Sequence, residues 1–110
     1  MAKYEYKFRG DFHTALSHLN SGILGGSVTA SFEEGSDYAA GGVHCAVRVY
    51  ERYSMAGGNR LSLTLTLIGQ GDELFLSAIA AGGSQGVFFK LNTWSEEFFL
   101  DEVRKLAERL

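Results

Sequence analysis

From Lys3 to Arg9 the chain alternates, with Tyr4, Tyr6 and Phe8 on one parity and Lys3, Glu5, Lys7 and Arg9 on the other. That two-residue period is the signature of a strand with one dry face. Asp11 then stands where a helix cap is wanted, and Phe12, Leu16, Leu19 and Ile23 follow at helical spacing. Gly22 or the Gly25-Gly26 pair is available to end this helix. Alternation resumes from Ser27 to Glu33, with Val28, Ala30 and Phe32 on the inward parity, and Glu34 to Gly42 reads as a loop. Val43 to Tyr53 is the next strand, followed by a Gly57-Gly58-Asn59 turn and then Leu61 to Ile68, where four leucines oppose Ser62, Thr64 and Thr66. Gly69 to Asp72 is a tight connection into a strand from Glu73 to Ala81, and Val87 to Leu91 reads as a further short strand. Thr93 and Glu96 have the spacing of a capping box. The helix they would open carries Phe99, Val103, Leu106 and Leu110 on one stripe, with Trp94, Phe98 and Ala107 beside it.

Consecutive strands on short glycine turns are antiparallel, and two helices that are apolar on one stripe need a shared sheet face. The expected fold is therefore α+β: a two-layer sandwich with an antiparallel sheet of five to six strands and two helices on one face. The length, residues 1–110, suits one domain with one core. This element order resembles the helix-grip folds, among them START-like carriers and TATA-binding-protein-like domains. A fold shared by carriers, enzymes and DNA binders does not fix an activity. A second resemblance rests on residues. Tyr50-Glu51-Arg52-Tyr53-Ser54-Met55 with Gly57-Gly58-Asn59-Arg60, and Gly82-Gly83-Ser84-Gln85 with Phe88-Phe89-Lys90, are similar to segments of a small bacterial family of unknown function. That resemblance implies no activity to carry over.

Charge and cysteine content narrow the chemistry. Ten Lys and Arg against 13 Asp and Glu give a net charge of -3, which argues against a nonspecific nucleic-acid binder. Cys45 is the single cysteine, so no intrachain disulfide or polythiolate zinc site can form. No apolar stretch is long enough to span a membrane, and Met1 to Arg9 does not read as a secretory leader. A cytoplasmic protein with no membrane partner is expected.

The residues that could act chemically do not converge in sequence. His13 and His18 are five apart on a helix, and adjacent His44 and Cys45 point to opposite sides of a strand. Neither a metal nor another cofactor is expected. Cys45 shares its parity with Val43, Val47 and Val49, which places it in the core as a small hydrophobe. Ser84 lies in a glycine turn that lacks the rest of a Walker loop. The acidic pairs Glu33-Glu34, Asp72-Glu73 and Glu96-Glu97 read as solvated. Glu51 continues the inward parity and would need Arg or Tyr partners there. No nucleophile is paired with a base, so the balance is against an enzyme.

What remains is the sheet face opposite the helices. If Val43 to Val49 and Leu61 to Leu67 share one dry layer on odd numbers, the outward set includes His44, Arg48, Tyr50 and Arg52. It continues through Ser62, Thr64, Thr66, Ile68, Phe75, Ser77 and Ile79. Arginine and aromatic side chains among hydroxyls point to an interface. The competing reading is an ordinary solvated face. Five strands of about six residues give a footprint near 480 Å², short of the roughly 800 Å² that a standard interface uses per partner. The expectation is a non-enzymatic binding or self-association module, most simply a homodimer with His44, Arg48, Tyr50 and Arg52 as contacts. The alternative is a helix-grip carrier or small enzyme holding an apolar small molecule between the last helix and the sheet.

Overall fold

The computed structural model describes residues 1–26, 29–54, 59–82 and 89–110. Its elements run β1 (Ala2–Arg9), α1 (Phe12–Gly25), β2 (Ser31–Ala40), β3 (Val43–Ser54), β4 (Asn59–Gln70), β5 (Glu73–Gly82) and α2 (Phe89–Ala107). The five strands form one antiparallel sheet in the order β1-β5-β4-β3-β2. Both helices lie on one side of it, so the fold is an α+β two-layer sandwich.

Asp11 caps α1 as its position requires, its carboxylate accepting the Thr14 backbone N–H and hydroxyl, each at 2.9 Å. Those bonds hold the Asp11 carboxyl below the usual carboxylate range. The helix buries Phe12, Ala15, Leu19 and Ile23. Gly22 faces α2 so closely that a Cβ there would collide with Leu106 Cδ2, so a bare backbone at this position sets the approach of the two helices. The centre of the core is β4. Leu61, Leu63, Leu65 and Leu67 are fully buried beneath Leu19, Ile23, Phe99 and Val103.

Four sequence expectations change. First, β2 begins at Ser31, and most of the stretch read as a loop from Glu34 to Gly42 is strand. A bulge between Phe32 and Glu34 breaks the alternation that would have revealed it. Gly41 and Gly42, with φ of 58° and 82°, then turn the chain tightly into β3. Second, β3 presents the opposite face. Arg48 pairs with Leu65, Tyr50 with Leu63 and Ala46 with Leu67, and residues directly opposite one another in a sheet share a face. His44, Ala46, Arg48, Tyr50 and Arg52 therefore look toward the helices, and Val43, Cys45, Val47, Val49 and Glu51 look away. Third, Phe89 to Leu91 belong to α2, and the rest of the expected strand, 87–88, lies outside the described residues. Fourth, Thr93 is inside α2 and not at its cap. Its expected partner Glu96 is buried, accepts the Gly82 N–H at 2.5 Å, and lies 2.7 Å from the N-terminal amine. Ser84 lies outside the described residues.

The reversal in β3 is testable by placing a charge on each parity in turn. Ala46→Asp puts an unpaired carboxylate in the core and is expected to cost about 3 kcal/mol or more. Val47→Asp, one residue on, should cost about 1 kcal/mol. Urea unfolding at high dilution checks both. Equal losses, or the opposite order, would reinstate the original parity.

Candidate functional site

The register resolves the helix-free face into rows of side chains that run across the sheet from β2 to β1. One row is Tyr38, Cys45, Ile68, Phe75 and Lys7. The next is Ser36, Val47, Thr66, Ser77 and Glu5, and a third is Glu34, Val49, Thr64, Ile79 and Lys3. On the three middle strands these rows place nine residues, and none carries a charge. Most are half-buried, because neighbouring side chains shield one another, whereas Ile68 is 37% exposed and Tyr38, on the edge, 72% exposed. Charges occupy the margin. Lys3, Glu5, Lys7 and Arg9 follow the β1 edge, Glu34 lies on β2, and Glu51 pairs with Arg60 at 2.9 Å at one end of the sheet.

Strands of eight to twelve residues make this face larger than the sequence implied. Five strands at about 4.8 Å spacing and about nine residues at 3.3 Å give a flat area of about 700 Å². At one corner Lys7, Arg9, Ile68, Gln70, Glu73 and Phe75 surround a shallow hollow of about 540 Å³.

His44, Arg48, Tyr50 and Arg52 are on the other side, and each has a partner there. Arg52 lies over the Phe99 ring, 4.2 Å from its centroid, and bonds Glu102 at 3.0 Å. Tyr50 is fully buried and its hydroxyl donates to Asn20 Oδ1 at 2.6 Å. Arg48 bonds Asp37 at 2.8 Å and the Val47 carbonyl at 2.9 Å. It lies across Gly35, where a Cβ would meet the Arg48 side chain at 3.1 Å. The His44 ring is 5.3 Å from Phe12 and 5.4 Å from His13. Arg48 borders an open hollow of about 370 Å³ with Asn20 and Phe32, and His44 borders a separate one of about 280 Å³ with Phe12 and His13. All four expected contacts, His44, Arg48, Tyr50 and Arg52, thus lie on the helix side of β3 and not on the open face.

Burial pushes the Tyr50 hydroxyl up to about 12, against a lowering by the Arg48 charge. Tyr4 is likewise pushed up to about 12, by burial and by its hydrogen bond to Glu108. Among the described residues no three His, Cys, Asp or Glu side chains converge on a metal position. On the helix-free face the three middle strands thus present nine uncharged, partly exposed side chains, with charged residues on β1 and at Glu34 of β2 beside them.

An open-faced α+β sheet domain is the class that fold and site define. The chain belongs to the family of unknown function DUF6054, whose profile matches residues 1–110. No curated protein and no solved structure matches it.

The raised tyrosines fix a sign for stability against pH. Unfolded, both hydroxyls titrate near 10; folded, near 12. Above pH 10 the unfolded chain releases protons that the folded chain keeps, so their contribution is whole below pH 10 and is lost as pH rises toward 12. Tyr50→Phe should flatten part of that decline in denaturant unfolding measured across the range. A decline identical to that of the parent chain would show that Tyr50 titrates normally.

Proposed function

We propose that the protein is a non-enzymatic self-association module that forms a homodimer through the open sheet face. The observation that carries this reading is the block of nine uncharged positions on β3, β4 and β5, flanked by Lys3, Glu5 and Lys7 on β1 and by Glu34 on β2. A dry centre and a polar rim are the anatomy of an interface. The footprint of about 700 Å² approaches the roughly 800 Å² per partner of a stable complex. A symmetric pair is the commonest way for one patch to cover itself. The contacts are Val47, Val49, Ile68, Phe75 and Ile79, in place of the four residues read from the sequence.

The helix-grip carrier remains the competing reading, and nothing favours it. Phe99 and Val103 of α2 and Leu63 and Leu65 of β4 exclude solvent completely where its ligand would lie, and a ligand pocket needs a void with a few polar groups. No helix among the described residues is long and apolar enough to cross a membrane. The lone Cys45 suits a reducing compartment, and we assign the protein to the cytoplasm.

Light scattering over a concentration series tests the proposal. The expected mass is twice the 12.0 kDa of the chain. Val47→Glu, on the open face, should halve it while leaving the circular dichroism spectrum unchanged. A parent chain that stays monomeric at every accessible concentration would exclude the module.

A further inference from the structure

The register says more than that a second copy covers the open face: it selects how that copy lies. A face-to-face pair related by a two-fold axis has two simple arrangements. With the axis running along β4, the central strand, β1 of one copy lies over β2 of the other and each row meets its own counterpart. With the axis running across the strands, β1 lies over β1 and the order of the rows is inverted.

Charges at the two edges separate these arrangements. Across the strands, Glu5 meets the partner's Glu5 and Lys3 meets the partner's Lys7, with like charges at each position. Along β4, Glu34 meets the partner's Lys3, and Lys7 meets the ring of the partner's Tyr38. The apolar positions match as well, with Val49 over the partner's Ile79 and Ile68 over the partner's Ile68. Among the described residues Lys7 has no acidic partner within its own chain, and Lys3 has only a 3.9 Å approach to Glu5. Aligned sheets cross at about 30°, which shifts edges two strands from the axis by about 5 Å. Extended Lys and Glu side chains reach that far.

We infer that the homodimer's two-fold axis runs along β4, with Glu34 of each copy paired to Lys3 of the partner subunit and Lys7 seated against the partner's Tyr38. This rests on the open-face dimer proposed above. Lys3 and Glu34 are exposed on edge strands, so charge changes there leave the core intact.

The test is a charge swap followed by sedimentation equilibrium at low salt, where rim charges are least screened. Lys3→Glu and Glu34→Lys should each weaken dimerisation about tenfold or more, because each creates two like-charge contacts per dimer. The double variant should recover most of the affinity. An equimolar mixture of the two single variants should form heterodimers in preference to either homodimer. If Lys3→Glu instead strengthens the dimer, the axis runs across the strands and this inference fails, while the open-face dimer stands. If the parent chain is a monomer, or Val47→Glu leaves it dimeric, the open face is not the interface and both readings fail together.

Discussion

The structure depends on the burial of one strand. Leu61, Leu63, Leu65 and Leu67 of β4 are all fully excluded from solvent, and β4 lies at the centre of the sheet with two strands on either side. Once those leucines face the helices, hydrogen-bonded pairing decides the facing of every other strand, because slipping a strand by one residue exchanges its faces. Paired positions in β3 and β4 sum to an odd number, as Arg48 with Leu65 shows. The even residues of β3 must therefore join the odd leucines of β4. No preference of valine for the interior can override this without giving up the ladder.

That constraint also explains what the sequence revealed and what it hid. Strands with one apolar and one mainly polar parity, β1 and β4, are legible because a single assignment keeps water off the greasy side. In β3 both parities carry apolar residues, Val43, Val47 and Val49 on one and Ala46 and Tyr50 on the other, so composition alone is ambiguous. The deciding signal was connection length. Ser54 pairs with Asn59, so residues 55–58 separate the strands, and any connection with an even number of residues sets odd against even positions. Counting the turn, instead of weighing hydrophobicity, would have turned Arg48 and Tyr50 inward. In β2 the bulge at Glu33 and the exposed edge position remove the periodicity itself, so a strand with three acids and Gly35 at its middle resembles a loop. Glu96 resembled a capping residue because its spacing from Thr93 was right, yet the helix begins earlier and the carboxylate serves the end of β5 instead.

Arginine on the helix side of a sheet is costly only where it is left unpaired. The helices lie chiefly over β1, β5 and β4, and β3 marks the boundary of that cover. There the inward side chains are long and polar-tipped, laying aliphatic stems against the core while their ends find partners at its border. Arg52 uses Phe99 and Glu102, Tyr50 uses Asn20, and Arg48 spans Gly35 to reach Asp37. Their residue types signal a core border as readily as an interface, so residue type alone does not separate the two.

The same geometry accounts for the character of the opposite face. A sheet face open to water is normally stocked with lysine, glutamate and threonine, and β1 follows that rule with Lys3, Glu5 and Lys7. Across β3, β4 and β5 the rule lapses, and the positions are filled by valine, isoleucine, phenylalanine, serine, threonine and Cys45. β-Branched residues suit a strand whether or not it is covered, so Thr64 and Thr66 need no explanation. Phe75, Ile68 and Ile79 do, because each leaves apolar surface in water without supporting the core on the far side of the sheet. Ile68 and Phe75 stand directly opposite each other, and Ile79 lies two rows away, beyond the pair Thr66–Ser77. Charges then return at the edges, with Lys3, Glu5, Lys7 and Arg9 on β1 and Glu34 on β2. A face whose central side chains leave apolar surface in water, and whose Lys3 and Glu34 complement each other under one two-fold rotation but not under the other, supports the self-association proposed above.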